Sequence, residues 1–313
     1  MKFTNSVVLA LKGCAMGMAD VVPGVSGGTI AFISGIYEEL IDSIRSVDAT
    51  ALRLLAHLRL GELWRHVNGR FLLPVLTGIA IAVFSLARLM TYLLEHHPIE
   101  IWSFFFGLIV ASALLVSKQI GRWDWRTAAA LAVGAAAAWW ITVATPTETP
   151  NDWWFVMLSG AVAICAMILP GISGAFILLL LGKYQYIMQA VGDLNIPVIA
   201  IFAVGATAGI ISFSHLLSWL LKRWHDVTVA VLMGFMVGSL NKVWPWKETV
   251  ETYTDSHGVL QPLVERNIAP GHFEALYDKP SLLAEAVLLC AAGFLAIYGI
   301  ELLARIVLKK REE

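Results

Sequence analysis

Two short stretches combine proline, glycine and serine inside apolar surroundings: "VVPGVSGG" at 21–28 and "LPGISG" at 169–174. Pro23 and Pro170 break a helix, because proline lacks an N–H and its ring clashes with the preceding turn. A helix that restarts after such a break presents N–H groups that have no intrahelical partner and carry partial positive charge. Gly24, Gly27 and Gly28 let a ligand approach that backbone closely, and Ser26 adds a hydroxyl donor. Gly171, Ser173 and Gly174 repeat the arrangement in the second stretch. Amides, glycines and a serine hydroxyl together suit an anion such as a phosphate or a carboxylate. Small residues also permit tight packing with no ligand at all. In a single copy the two readings weigh equally; two copies favour the ligand.

Ionisable residues inside apolar runs sharpen this chemistry. A charge at membrane depth is costly and marks function. Arg88 and His215 both lie mid-segment, and a cation with a titratable ring suits an anionic head group. The structural alternatives are an Arg88 that snorkels to an interface and a His215 satisfied in a core. Asp20 pairs with Arg88, carries a coupling proton, or caps the restarted helix. Glu38 is a coupling residue or a solvated one, and Lys183 attracts anionic head groups or snorkels. Asp20, Glu38 and Lys183 are therefore the coupling or gating candidates, with protons or sodium as the coupling ions. His57, His66, His96 and His97 lack ligand spacing to acids, and Cys14, Cys165 and Cys290 lack any CxxC spacing. The expectation is no catalytic residue, no metal, no cofactor and no nucleic-acid partner, with the cysteines as small apolar fillers.

The elements that position these residues follow from hydropathy. The chain is 58% hydrophobic and 14% charged, against roughly 25% charged in a soluble domain. Mean hydropathy is +0.74, which implies an integral membrane protein. Roughly 20 apolar residues span a bilayer, and the expected spans are 71–94, 101–117, 127–145, 197–221, 227–243 and 281–308. Regions 6–40 and 153–190 are too long for one span and break near the middle. Each is expected to be a re-entrant hairpin of two short helices meeting at a tip. Arginines crowd 41–70, and lysines and arginines mark 118–126, 222–223 and the C-terminal end, while 95–100 and 146–152 carry no Lys or Arg. Basic loops stay cytoplasmic, so the termini are expected in the cytoplasm, with one hairpin opening to each side and an uncleaved N-terminus. Trp139, Trp140, Trp153 and Trp154 flank an outer loop as an interfacial belt. Residues 41–67 read as an amphipathic helix, on the membrane surface or packed on the bundle, and 244–280 as an external loop without period.

The breaks belong to a duplication. With Pro23 set on Pro170, seven of fifteen positions are identical without a gap, including Gly35 with Gly182 and Tyr37 with Tyr184. The following spans align at an offset of 127, which pairs Gly78 with Gly205, Gly107 with Gly234 and Arg88 with His215. The chain thus divides into units 1–145 and 146–313, each a hairpin plus three spans. Three is odd, so the second unit is inverted relative to the first. The fold class expected is an all-α integral membrane protein of two inverted-topology repeats. Such repeats with broken helices are the signature of secondary transporters.

The run "GMADVVPGVSGGTIAFISGIYEEL", with "LPGISGAFILLLLGKY" in the second half, resembles the bacterial polyprenyl-phosphate transporter family, long treated as a domain of unknown function. The resemblance covers nearly the whole chain. It implies a translocase in the bacterial cytoplasmic membrane that returns undecaprenyl phosphate from the outer to the cytoplasmic leaflet for cell-envelope synthesis. The motif positions it carries are Asp20, Pro23, Gly24, Ser26, Gly27 and Gly28, then Pro170, Gly171, Ser173 and Gly174; neither motif departs from the family's pattern. Membrane lipids are the further expected partners, and the sequence is compatible with a homo-oligomer. A transporter of a small soluble anion would use the same tips and would show a closed aqueous cavity in place of a lateral opening to lipid. A membrane enzyme acting on lipid phosphates would need a nucleophile or metal cluster, and would release phosphate.

Overall fold

The structure is a computed structural model, and it describes residues 3–21, 27–146, 149–254 and 260–312. Apolar periodicity and the absence of water-facing backbone in such a sequence favour helices, since helical segments satisfy their own backbone groups. In chain order, α1 (Phe3–Val21), α2 (Gly27–Ile33) and α3 (Tyr37–Arg45) make the first broken segment. Two short helices follow, α4 (Ala49–Ala56) and α5 (Leu60–His66), and then α6 (Gly69–His96), α7 (Pro98–Ser117) and α8 (Trp125–Val143). The second broken segment is α9 (Trp153–Ile168), α10 (Gly174–Leu180) and α11 (Tyr184–Gly192), followed by α12 (Ile196–Arg223) and α13 (His225–Ser239). The chain closes with β1 (Lys247–Thr254), β2 (Leu260–Asn267), α14 (Pro270–Tyr277) and α15 (Leu283–Glu312). Among the described residues, α7, α8 and α12 are each long and apolar enough to cross a membrane alone. Each of the six expected spans overlaps a helix, although α13 ends at Ser239, short of the expected 243.

Three expectations need correction. Each region expected to be a two-helix hairpin holds three helices: the one after the break, α2 or α10, is only seven residues long, and the chain then turns into α3 or α11. Both turns use the same hydrogen bonds: Ser34, Gly35 and Ile36 N–H groups bond Ile30, Phe32 and Ala31 carbonyls, and Leu181, Gly182 and Lys183 bond Ile177, Leu179 and Leu178. Gly35 (φ 70°) and Gly182 (φ 61°) supply the left-handed residue of this Schellman-type stop. That requirement explains why this glycine occurs in both halves. Second, residues 41–67 are three helices. Left-handed Leu58 separates α4 from α5, and the Asp48 carboxylate accepts from the Thr50 and Ala51 N–H groups to start α4 afresh. Third, residues 244–280, expected to be a loop without period, hold a two-stranded hairpin and the short helix α14 in an otherwise helical chain. Strands β1 and β2 pair antiparallel from Lys247↔Asn267 to Thr254↔Leu260. The register shifts on both sides of Glu251, which breaks the period-two pattern that marks a strand.

Helix packing falls into four tight pairs: α1 with α6, α9 with α12, α7 with α15 and α8 with α13. Each rests on glycines that face a neighbouring carbonyl. Gly13 meets Val75 and Gly78 meets Ala10 in the first pair, while Gly160 meets Phe202 and Gly205 meets Met157 in the second. Gly107 meets Cys290 and Gly293 meets Phe104 across α7 and α15, and Gly134 meets Val231 and Gly234 meets Leu131 across α8 and α13. A methyl group at any of these sites would enter the opposing backbone. Close backbone approach is the main source of helix attraction in lipid, where apolar burial contributes little. The largest buried cluster joins both halves, with Ile41, Phe71, Val75, Ile109, Val229 and Met236 among its members. A smaller one seats the β-hairpin: Trp246 packs with Ile99 and Ala286, and its indole N–H donates to the Ser281 carbonyl at 2.8 Å.

Candidate functional site

The second break is built by backbone conformation. Leu169 is extended (φ −71°, ψ 129°), as a residue before proline must be, and α9 stops there. Gly171 has φ 85° and lies against Phe235, Met236 and Ser239 of α13, so a side chain there meets both strain and backbone. Ser173 is the N-cap of α10, yet its hydroxyl makes no cap hydrogen bond. It is largely buried, beside fully enclosed Gly174.

At the first break, Asp20 Oδ1 accepts from the Gly27 N–H at 2.7 Å. Gly27 allows this, because a Cβ there would overlap the carboxylate. Of the three alternatives for Asp20, capping describes this conformation. Gly28 is buried and partnered. Pro23, Gly24 and Ser26 lie outside the described residues.

The two broken segments meet in buried polar contacts. The Gly171 N–H donates to the Thr29 hydroxyl at 2.9 Å, and both groups are buried. The Tyr37 hydroxyl donates to the Ile168 carbonyl at 3.0 Å, at the C-terminus of α9. Tyr37 is 3% exposed, with its ring 4.9 Å from that of Phe32. Thr29 and Tyr37 were not singled out by chemistry in the sequence. Tyr37 was visible only as an identity with Tyr184, and Thr29 as the lone hydroxyl in "GGTIAFI".

The remaining candidates separate. Lys183 neither snorkels nor faces outward: it is 1% exposed, and its Nζ donates to the Thr149 carbonyl at 2.7 Å and to Asn151 Oδ1 at 2.9 Å. It ties Thr149 and Asn151 to the turn between α10 and α11. His215 is exposed on α12, its Nδ1 2.8 Å from the Ile211 carbonyl of its own helix, so the structure does not bring it to the second tip. Arg88 lies in α6, and its side chain is outside those described. Glu38 is exposed at the start of α3, 3.4 Å from His225 Nε2 on α13.

Polar groups missed in the sequence frame the tips on either side. Beside Glu38, Asp42 Oδ1 accepts from the Ser218 hydroxyl at 2.6 Å, and Lys222 Nζ reaches both Asp42 oxygens at 2.9 and 2.8 Å. Burial pushes the Asp42 carboxyl up, but the hydrogen bonds from Lys222 and Ser218 outweigh it and hold it below the usual carboxylate range. On the other side, Lys242 and Lys247 share the Glu265 carboxylate at 2.8 and 3.4 Å. No cluster of His, Cys, Asp and Glu fit for a metal occurs among the described residues.

Several long apolar helices, with two broken segments joined by a buried polar contact, mark a multi-pass helical membrane protein. Residues 16–261 match the VCA0040-like family, described as undecaprenyl phosphate translocase-like, and the chain belongs to that family. It is 46% identical over 300 residues to the polyprenyl-phosphate transporter of Vibrio cholerae serotype O1, covering 96% of this chain and 97% of that protein. It is 34% identical over 253 residues to the polyprenyl-phosphate transporter of Staphylococcus aureus, covering 75% and 85%. No solved structure matches.

Proposed function

We propose that this protein translocates undecaprenyl phosphate across the bacterial cytoplasmic membrane, from the outer to the cytoplasmic leaflet, with the phosphate held between the two hairpin tips. The carrying observation is the buried meeting of the tips at Gly171 and Thr29, beside a Ser173 hydroxyl that caps nothing. The names of both relatives support the substrate, and the isoprenoid tail can stay in lipid while the head group crosses. Asp20 holds a place that an incoming anion would take: its carboxylate already sits on the Gly27 amide. Two anions share such a site only when one takes up a proton or a counter-cation. Phosphate binding at that amide therefore requires Asp20 to leave it, to take up a proton or to be met by a counter-cation. Arg88 and the first-tip residues Gly24, Ser26 and Gly28 complete the proposed anion path, from which the exposed His215 is left out.

The repeated helix pairs and twin Schellman turns support two units, 1–145 and 146–313, related by inversion, and hence alternating access. The conformation is asymmetric. Helix α3 packs on α12 through Asp42, whereas α11, its counterpart, packs on α10 and α12, with no comparable packing on α6 among the described residues. With the arginine-rich segment in the cytoplasm, this is a state closed on the cytoplasmic side.

The test is translocation of a polyprenyl phosphate by purified protein in liposomes. Ser26→Ala, Ser173→Ala and Arg88→Ala are each expected to slow it at least about tenfold, the scale of one lost charge-assisted contact of roughly 1.5–3 kcal/mol, with insertion unchanged. Wild-type protein that moves no lipid phosphate, or moves a soluble anion instead, overturns the reading.

A further inference from the structure

Between the β-hairpin and the second tip lies a basic site that the tip chemistry does not use. Lys242 follows α13, one turn beyond Ser239, the residue that packs against Gly171 of the tip. Its Nζ stands 4.8 Å above the Phe176 ring of α10. Lys247, at the start of β1, stands 4.5 Å above the Trp102 ring of α7. Both ammoniums lean on one carboxylate, Glu265 of β2. Two cations against one anion leave an excess positive charge, and the Lys247 side chain is only 9% exposed. Holding the hairpin down needs one ion pair; a second buried ammonium adds desolvation cost without adding a partner. Each ammonium has three donors, and among the described residues each gives one hydrogen bond, both to Glu265 Oε2. The aromatic rings beneath stabilise the cations but accept no conventional hydrogen bond. The remaining donors match the three acceptor oxygens of a phosphomonoester.

We infer that Lys242 and Lys247 form a reception site for a phosphomonoester head group outside the second tip, in which the phosphate displaces Glu265 as the partner of the two ammoniums. The inference rests on the proposed function for the identity of the anion. A neighbouring cavity of about 510 Å³ favours a lipid over free phosphate. Phe106, one turn along α7 from Trp102, lines it with Trp139, Gly238 and Trp244, and so do Asn241 and Asn267, which flank the lysines and Glu265. An isoprenoid stem leaving the phosphate would enter that aromatic groove.

The experiment titrates full-length protein in nanodiscs with a short polyprenyl phosphate, the matching polyprenol and inorganic phosphate, following affinity and unfolding temperature. Lys242→Gln and Lys247→Gln are expected to weaken polyprenyl-phosphate binding at least about tenfold. Glu265→Gln is expected to tighten it severalfold while lowering stability, a sign that a mere strut would not give. Inorganic phosphate is expected to bind far more weakly, and polyprenol not to compete. Folded lysine variants with unchanged affinity, or a Glu265→Gln protein that binds no tighter, overturn the site while leaving the proposed function intact. Equal affinity for inorganic phosphate overturns the lipid source. A wild-type protein that binds no polyprenyl phosphate removes both readings.

Discussion

At the scale of single residues, Lys247 makes the reception site sensitive to pH. Burial pulls its ammonium down to about 8; the Glu265 charge opposes that pull and the Lys242 charge assists it. Head-group binding is then expected to fall as pH rises through about 8, and to fall again below about 6, where a phosphomonoester loses its second charge. Lys247→Arg keeps its proton throughout and should abolish the alkaline limb, as affinity measured from about pH 5 to 10 would show. Stability runs the other way. Between about 8 and the ordinary lysine value the unfolded chain binds the proton that the folded chain has released, so Lys247 adds stability as pH rises through that window. The sequence made the tips legible because proline and glycine are conspicuous in apolar runs. It could not show the partners of Thr29 and Tyr37, which are backbone groups 142 and 131 positions away. Lys242 and Lys247 were hidden among ordinary charges of a polar segment, and only the fold puts them over Phe176 and Trp102.

At the scale of elements, the contact of α3 with α12 would act as a latch in the proposed cycle. Asp42 and Lys222 are about half exposed, so their pair is expected to contribute little, on the order of 0.2–1 kcal/mol. Asp42→Lys and Lys222→Asp should each speed amide hydrogen exchange in α3 by roughly 1.4- to fivefold, the same range as a rate ratio. The double exchange, Asp42→Lys with Lys222→Asp, should restore it. Protection unchanged in both single variants would mean that α3 is held by its apolar face alone. Long helices were readable here, since sustained hydropathy needs no context. The short ones were not: α3, α4 and α5 share one apolar stripe, and only the Asp48 cap and the left-handed Leu58 divide it. The strands escaped because their pairing shifts register around Glu251.

At the scale of the whole molecule, the duplication predicts a second arrangement. Tyr37 bonds the carbonyl of Ile168, and the aligned counterparts are Tyr184 and Val21. In the opposite state of an alternating-access cycle, Tyr184 would bond Val21. Tyr37→Phe leaves a buried carbonyl unpaired, at a cost of about 1–3 kcal/mol, and should open the α3 side. Tyr184→Phe should favour the closed form instead. Spin-label distances between α3 and α12 in the two variants would settle it, and equal shifts in one direction would refute the exchange. The alignment revealed which positions correspond but not which helices touch, because correspondence within a duplicated sequence carries no information about pairing across it. The pairing of α7 with α15 and of α8 with α13 has a consequence for how the protein is made. The end of α7 at Ser117 precedes the start of α15 at Leu283 by 166 residues. At roughly 5–20 residues per second of synthesis, α7 waits about 8–33 seconds in the membrane before its partner emerges. During that interval the α7 face that carries Gly107 is open to lipid and to any chaperone of membrane insertion, and this part of the first half cannot finish packing until α15 has been made.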